Sequence, residues 1–61
     1  MIDGYDAQRI VQDARIAINA LESIKYVIER DGCISVAYLT EKTDTVDYCV
    51  RFMKGFKDGG D

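Results

Sequence analysis

Histidine is absent from the 61 residues. Without an imidazole there is no Ser-His or Cys-His nucleophile pair, and no zinc set that mixes Cys with His. Cysteine is scarce: Cys33 and Cys49 are the only two, so one bridge is the most the chain could form. Their spacing is too wide for a CxxC redox site. Both sit in apolar runs, the setting of a buried, inert thiol, and no bridge is predicted. No apolar run approaches the ~18 residues of a membrane span, and no signal peptide is visible at the start. A cytoplasmic protein with reduced thiols is therefore expected, in the host cytosol if the chain is phage-encoded. Cationic excess is missing as well. Eight Lys and Arg face eleven Asp and Glu, for a formal charge of −3 and a pI near 4.7. That balance repels a phosphate backbone.

The remaining carboxylates offer no chemistry. Asp44 with Asp47, and Asp58 with Asp61, lack the apolar walls or partner groups that would split their pKa values for acid–base work. The terminal Asp-Gly-Gly-Asp lacks the spaced oxygen ligands of a calcium loop. No Gly-rich phosphate loop is present. The expectation is a protein that is not an enzyme and uses no cofactor or metal.

What is present begins with one long amphipathic helix, about 6–30. Ala7, Ile10, Ala14, Ala17, Leu21, Ile24 and Ile28 recur at spacings of three and four, one stripe on a helix and no single face of a strand. Val11, Ile18 and Val27 flank that stripe. Asp3 or Asp6 caps the start, Arg30 suits the negative end of the dipole, and Gly32 supplies a left-handed cap. No proline interrupts the run. Ile16 and Tyr26 lie further round the helix and are candidates for a second apolar contact.

The segment from Cys33 to Met53 reads in two ways. As strands, Ile34, Val36, Tyr38 and Thr40 alternate on one face, and Val46, Tyr48, Val50 and Phe52 alternate in the same phase. Glu41–Asp44 between them is polar, and the runs are rich in β-branched and aromatic residues. The first expectation is thus α+β: the helix packed on a β-hairpin of about 33–41 and 45–53. A nine-residue strand of ~30 Å and a helix of ~37 Å match in length. As a helix, Val46, Cys49, Val50, Met53 and Phe56 also fall at helical spacing, with Asp44 or Thr45 as cap. Helix–strand–helix and an all-α helix-turn-helix therefore stay open. The whole is one domain, 1–61, with 57–61 read as a frayed tail. A chain this short buries only about 60% of its unfolded surface and leans on outside support. With neither disulfide nor metal in view, a homodimer is expected.

Two resemblances bear on function. Ala20-Leu21-Glu22, Asp31 to Ala37, Leu39, Glu41-Lys42-Thr43, Val50-Arg51 and Met53-Lys54 resemble the start of a winged helix-turn-helix regulator. Asp44 stands where that family usually has Gly, Val46 stands at the polar cap, and the wing is missing. The resemblance implies a DNA-binding regulator with Arg51, Lys54 and Lys57 as nucleic-acid contacts. Tyr38-Leu39-Thr40, Phe52 and Phe56-Lys57-Asp58-Gly59 are similar to the last strand and following helix of a small phage anti-CRISPR protein. That likeness implies an inhibitor that occupies a basic, nucleic-acid-binding groove on its protein partner. Acidic excess suits the same role through complementary potential, with Glu41, Asp44, Asp47, Asp58 and Asp61 as the partner-binding acidic face. A small acidic protein-binding inhibitor or regulator from a mobile element is the leading expectation, and the helix-turn-helix regulator the alternative.

Overall fold

The computed structural model describes residues 2–56. Among them there are two helices and no strand: α1, Gly4–Asp31, and α2, Val36–Lys54. Local chemistry sets each boundary. Asp3 is extended, and its Oδ1 accepts from the Asp6 amide at 2.8 Å, which satisfies one orphan donor of the first turn. Gly32 closes α1 at φ +76°, where its amide donates to the Ile28 carbonyl at 2.8 Å. A side chain is strained in that left-handed region, so glycine is required there. Three residues on, Ser35 opens α2: its hydroxyl oxygen accepts from the Tyr38 amide at 3.1 Å. Ser35→Ala removes that bond and is expected to cost about 1 kcal/mol, read as a lower midpoint in urea unfolding.

The link from Gly32 to Ser35 is of the length that joins antiparallel helices. The molecule measures 46 × 17 × 14 Å. Nineteen residues of helix span about 28 Å, more than either short dimension, so α2 must lie along α1. The fold is a helical hairpin, a single layer of two helices side by side.

The expected β-hairpin of 33–41 and 45–53 is therefore wrong. One helix runs from Val36 through Glu41–Asp44, the supposed turn, to Lys54. The physical reasons are local. Glu41-Lys42-Thr43-Asp44 contains no Gly or Asn to take the positive φ of a tight hairpin turn. A lone two-stranded ribbon leaves half its amides to water and is marginal, whereas a helix satisfies its backbone within itself. Two β-branched threonines in this helix are accommodated by back-bonding. Thr43 Oγ1 donates to the Thr40 carbonyl at 3.1 Å, and Thr45 Oγ1 to the Glu41 carbonyl at 3.2 Å. The helix–strand–helix alternative fails with the strand. The all-α alternative has the right class but the wrong geometry, because a helix-turn-helix needs its helices crossed at a wide angle. Tyr38-Leu39-Thr40, a strand in the anti-CRISPR likeness, is helical.

The contact between the helices is narrow. Among the described residues Ala17 and Ala20 of α1 and Cys49 of α2 are the buried ones. Ile10, Ala14, Ile24 and Val27 on α1, with Leu39, Val46, Met53 and Phe56 on α2, are half-buried around them. At one end Arg9 lies 3.9 Å over the Phe52 ring, which in turn meets Phe56 edge-on at 5.2 Å. The seam expected on α1 is partly displaced. Ile10, Ala14, Ala17 and Ile24 do face α2, but Ala7 is exposed, Leu21 is 50% exposed and Ile28 is 43% exposed. The observed seam passes through Ala20 and Val27 instead. A helix can carry two adjacent stripes at the same three–four spacing, and α2 takes only one of them.

Candidate functional site

The acidic residues expected to act together are only partly gathered. Glu41, Asp44 and Asp47 are exposed on the side of α2 turned away from α1. They step round it by about 60° each, as residues three apart on a helix do. Asp58 and Asp61 lie outside the described residues, as does Lys57. Arg51 and Lys54 are exposed on the same outer side, and with Asp47 and Val50 they line one shallow depression. The outer face of α2 thus passes from acidic to basic along its length.

Ile16 and Tyr26 do not form one patch. They are ten residues, or about 15 Å, apart along α1. Ile16 lines a dent with Asn19, Ser23, Lys42 and Thr45. Tyr26 is exposed and lies under the Arg30 guanidinium at 5.2 Å. Arg30 also grips Asp31 in a two-pronged bond, Nε to Oδ1 and Nη2 to Oδ2, both 3.0 Å. That bond, more than the bare charge of Arg30, holds the Asp31 carboxyl below its ordinary range. The stabilisation is present above the ordinary carboxylate pKa and fades as the pH falls through the lowered value. The pair is fully exposed, so Asp31→Asn is expected to leave the urea midpoint at neutral pH almost unchanged.

The cysteines divide. Cys49 is buried, as its apolar run suggests. Cys33, expected to be buried too, sits exposed in the link between the helices, because that run is not a strand. Both thiols are free. Among the described residues no polar or charged side chain is buried and no cluster of three or more Cys, Asp or Glu could hold a metal ion. No described helix is long and apolar enough to cross a membrane.

An apolar surface is also left uncovered. Arg9 with Phe52, and Ile16, Asn19 and Ser23 with Lys42 and Thr45, mark one broad side of the hairpin. On antiparallel helices the opposite flanks of both must then share the other broad side. From α1 that side receives Val11, Ile18 and Leu21, each half exposed or slightly more, and Ile28. From α2 it receives Leu39, Val46, Val50 and Met53, half-buried, and the exposed Val36. Sequence reasoning missed this face because it merged two stripes into one. The signal was there: positions 7, 11, 14, 18, 21, 25 and 28 step strictly by four and three, and Lys25 alone among them is charged. Positions 36, 39, 43, 46, 50 and 53 do the same on α2, with Thr43 the only polar member. No protein family, curated protein or solved structure matches the chain.

Proposed function

We propose that the chain is a non-catalytic protein-binding module that docks through the broad apolar side of its helical hairpin. The observation that carries this reading is the row Val11, Ile18, Leu21 and Ile28, broken only by Lys25 and left exposed beside the half-buried apolar residues of α2. Apolar rows at seam spacing gain free energy only when another helical surface covers them. The want of histidine, and the absence of any buried charged side chain among the described residues, favour binding over catalysis.

The exposed Glu41, Asp44 and Asp47 support a second element of the reading. They give the outer face of α2 a negative patch that would steer the module towards a basic partner and away from nucleic acid. An inhibitor or regulator that covers a cationic surface fits that pattern. A DNA-reading role has less support, because the side-by-side helices give no protruding recognition helix.

Site-specific photo-crosslinking in the cell tests the docking surface. A photoreactive side chain is placed at Leu21 on the apolar side, at Asp44 on the acidic face, or at Asn19 on the opposite side. Discrete adducts from Leu21 and none from Asn19 are expected. Adducts from Asp44 alone would transfer the function to the acidic face. Equal labelling from all three positions would contradict both.

A further inference from the structure

The occupant of the apolar side can be identified further, on the footing that this side is a docking surface. We propose that it is a second copy of the same chain, and that two hairpins pair face to face as a four-helix bundle.

Three observations carry the proposal. The first is thickness. At 14 Å in its thinnest dimension the hairpin is a single layer of helices. Stable domains set one layer against another around a shared core, and a two-helix layer has no second layer of its own. The second is area. The outline of a side, 46 × 17 Å, bounds about 800 Å², the upper limit of what it could bury and of the order of each partner's share in a standard stable interface. The third is the doubling of the seams. On α1 one seam, through Ala17, Ala20 and Ile24, meets α2. The next, through Val11, Ile18 and Leu21, meets nothing. Helix α2 likewise carries Thr45 and Cys49 towards α1 and Val46 and Val50 towards the open side. Two adjacent seams per helix is the pattern of a helix with two helical neighbours, as in a bundle. A two-fold dimer uses the same patch on both partners, so one apolar side per chain is enough to form it.

Charge sets the orientation. Arg15 and Glu22 are exposed, seven residues apart, and so lie on one edge of the apolar row with Ile18 between them. Neither has an ion-pair partner within the chain among the described residues. If the two α1 helices run antiparallel about an axis near Ile18, each Arg15 faces the partner's Glu22, twice over. A parallel arrangement sets Arg15 against Arg15 and Glu22 against Glu22. Lys25, the charged member of the row, restricts the register further, as a lone polar seam residue does.

Sedimentation equilibrium on the full chain at micromolar concentration tests this. The expected mass is twice the 6.9 kDa of one chain. Ile18→Asp is expected to give the mass of one chain, as is Leu21→Asp. Arg15→Glu alone should weaken the pairing about tenfold, and Glu22→Arg alone likewise. The combined Arg15→Glu/Glu22→Arg chain should recover the original dissociation constant, which a merely structural effect of either change would not produce. Failure of that recovery overturns the antiparallel pairing. A single-chain mass for the unaltered protein overturns the second copy as occupant, as does a mass of three or more copies. In the single-chain case a fluorescent apolar dye separates the two readings. Dye bound by the chain and lost in Ile18→Asp leaves the docking side intact with a different occupant. No dye binding removes the docking side as well.

Discussion

Cys49→Asp is expected to abolish the folded hairpin. Cys49 is 3% exposed, the least exposed of the described residues, and it lies in the seam between α2 and α1. A carboxylate at that point loses its water, with no buried polar or charged side chain among the described residues to answer it. A buried charge stripped of its partner costs about 3–5 kcal/mol, on the scale of the whole stability of a chain this size. Far-UV circular dichroism should show the loss of most helical signal at neutral pH. Cys49→Ala provides the scale: it removes one sulfur and should cost only about 1 kcal/mol. An Asp variant that keeps the helical spectrum and the urea midpoint would mean that position 49 does not face α1.

Ala17→Leu with Ala20→Leu is the second large expected effect. Both alanines are buried in the seam between the helices, 8% and 6% exposed. Leucine is nearly as good a helix former as alanine, so the change is almost neutral for α1 by itself. Any loss is therefore a loss of packing between the helices. Overpacking costs about 1–3 kcal/mol at each site, and the pair together should lower the urea midpoint sharply while α1 keeps its own propensity. The same leucines placed at Gln8 and Gln12, which are exposed and off the apolar side, should leave the midpoint almost unchanged. An unaffected double variant at 17 and 20 would place the helix contact on another stripe. Leu21 supplies the contrast. A charge there reads as a core defect if all of Ala7 to Ile28 is one seam, but Leu21 is half exposed, so its effect falls on assembly rather than on the fold of one chain.

The first helix was legible because its signals agree. Asp3, the uninterrupted three–four spacing and Gly32 all mark one element, and the structure closes it within two residues of the expected ends. The second helix was not, because its composition and its period pull apart. Val36, Tyr38, Val46, Tyr48 and Val50 are strand-formers by composition, and alternate residues of that kind fit a pleated sheet. The same segment carries Leu39, Val46, Cys49, Met53 and Phe56 towards one side of a helix. Two residues could have decided it. Ser35 stands as an N-cap immediately before the run, and the Glu41–Asp44 stretch lacks the glycine or asparagine that a tight turn needs. The candidate site fared in the same way. The exposed positions of Glu41, Asp44 and Asp47 follow from their polarity, but their spread around α2 follows from its being a helix. The apolar side was hidden because Ala20 and Leu21 are neighbours that differ by about 100° on the helix, and spacing alone cannot say which of two such stripes an antiparallel partner will take.

A proton NOESY spectrum of the chain shows whether Val36–Lys54 is one helix folded back along α1. Unbroken amide–amide contacts between successive residues from Val36 to Lys54, including Glu41 to Asp44, are expected. Contacts from the Ala17 and Ala20 methyl groups to side chains of the Thr45–Cys49 segment are expected as well. Close Hα–Hα contacts between the 33–41 and 45–53 segments, with the amide–amide series broken at Glu41–Asp44, would contradict the helical hairpin and restore the strand pairing.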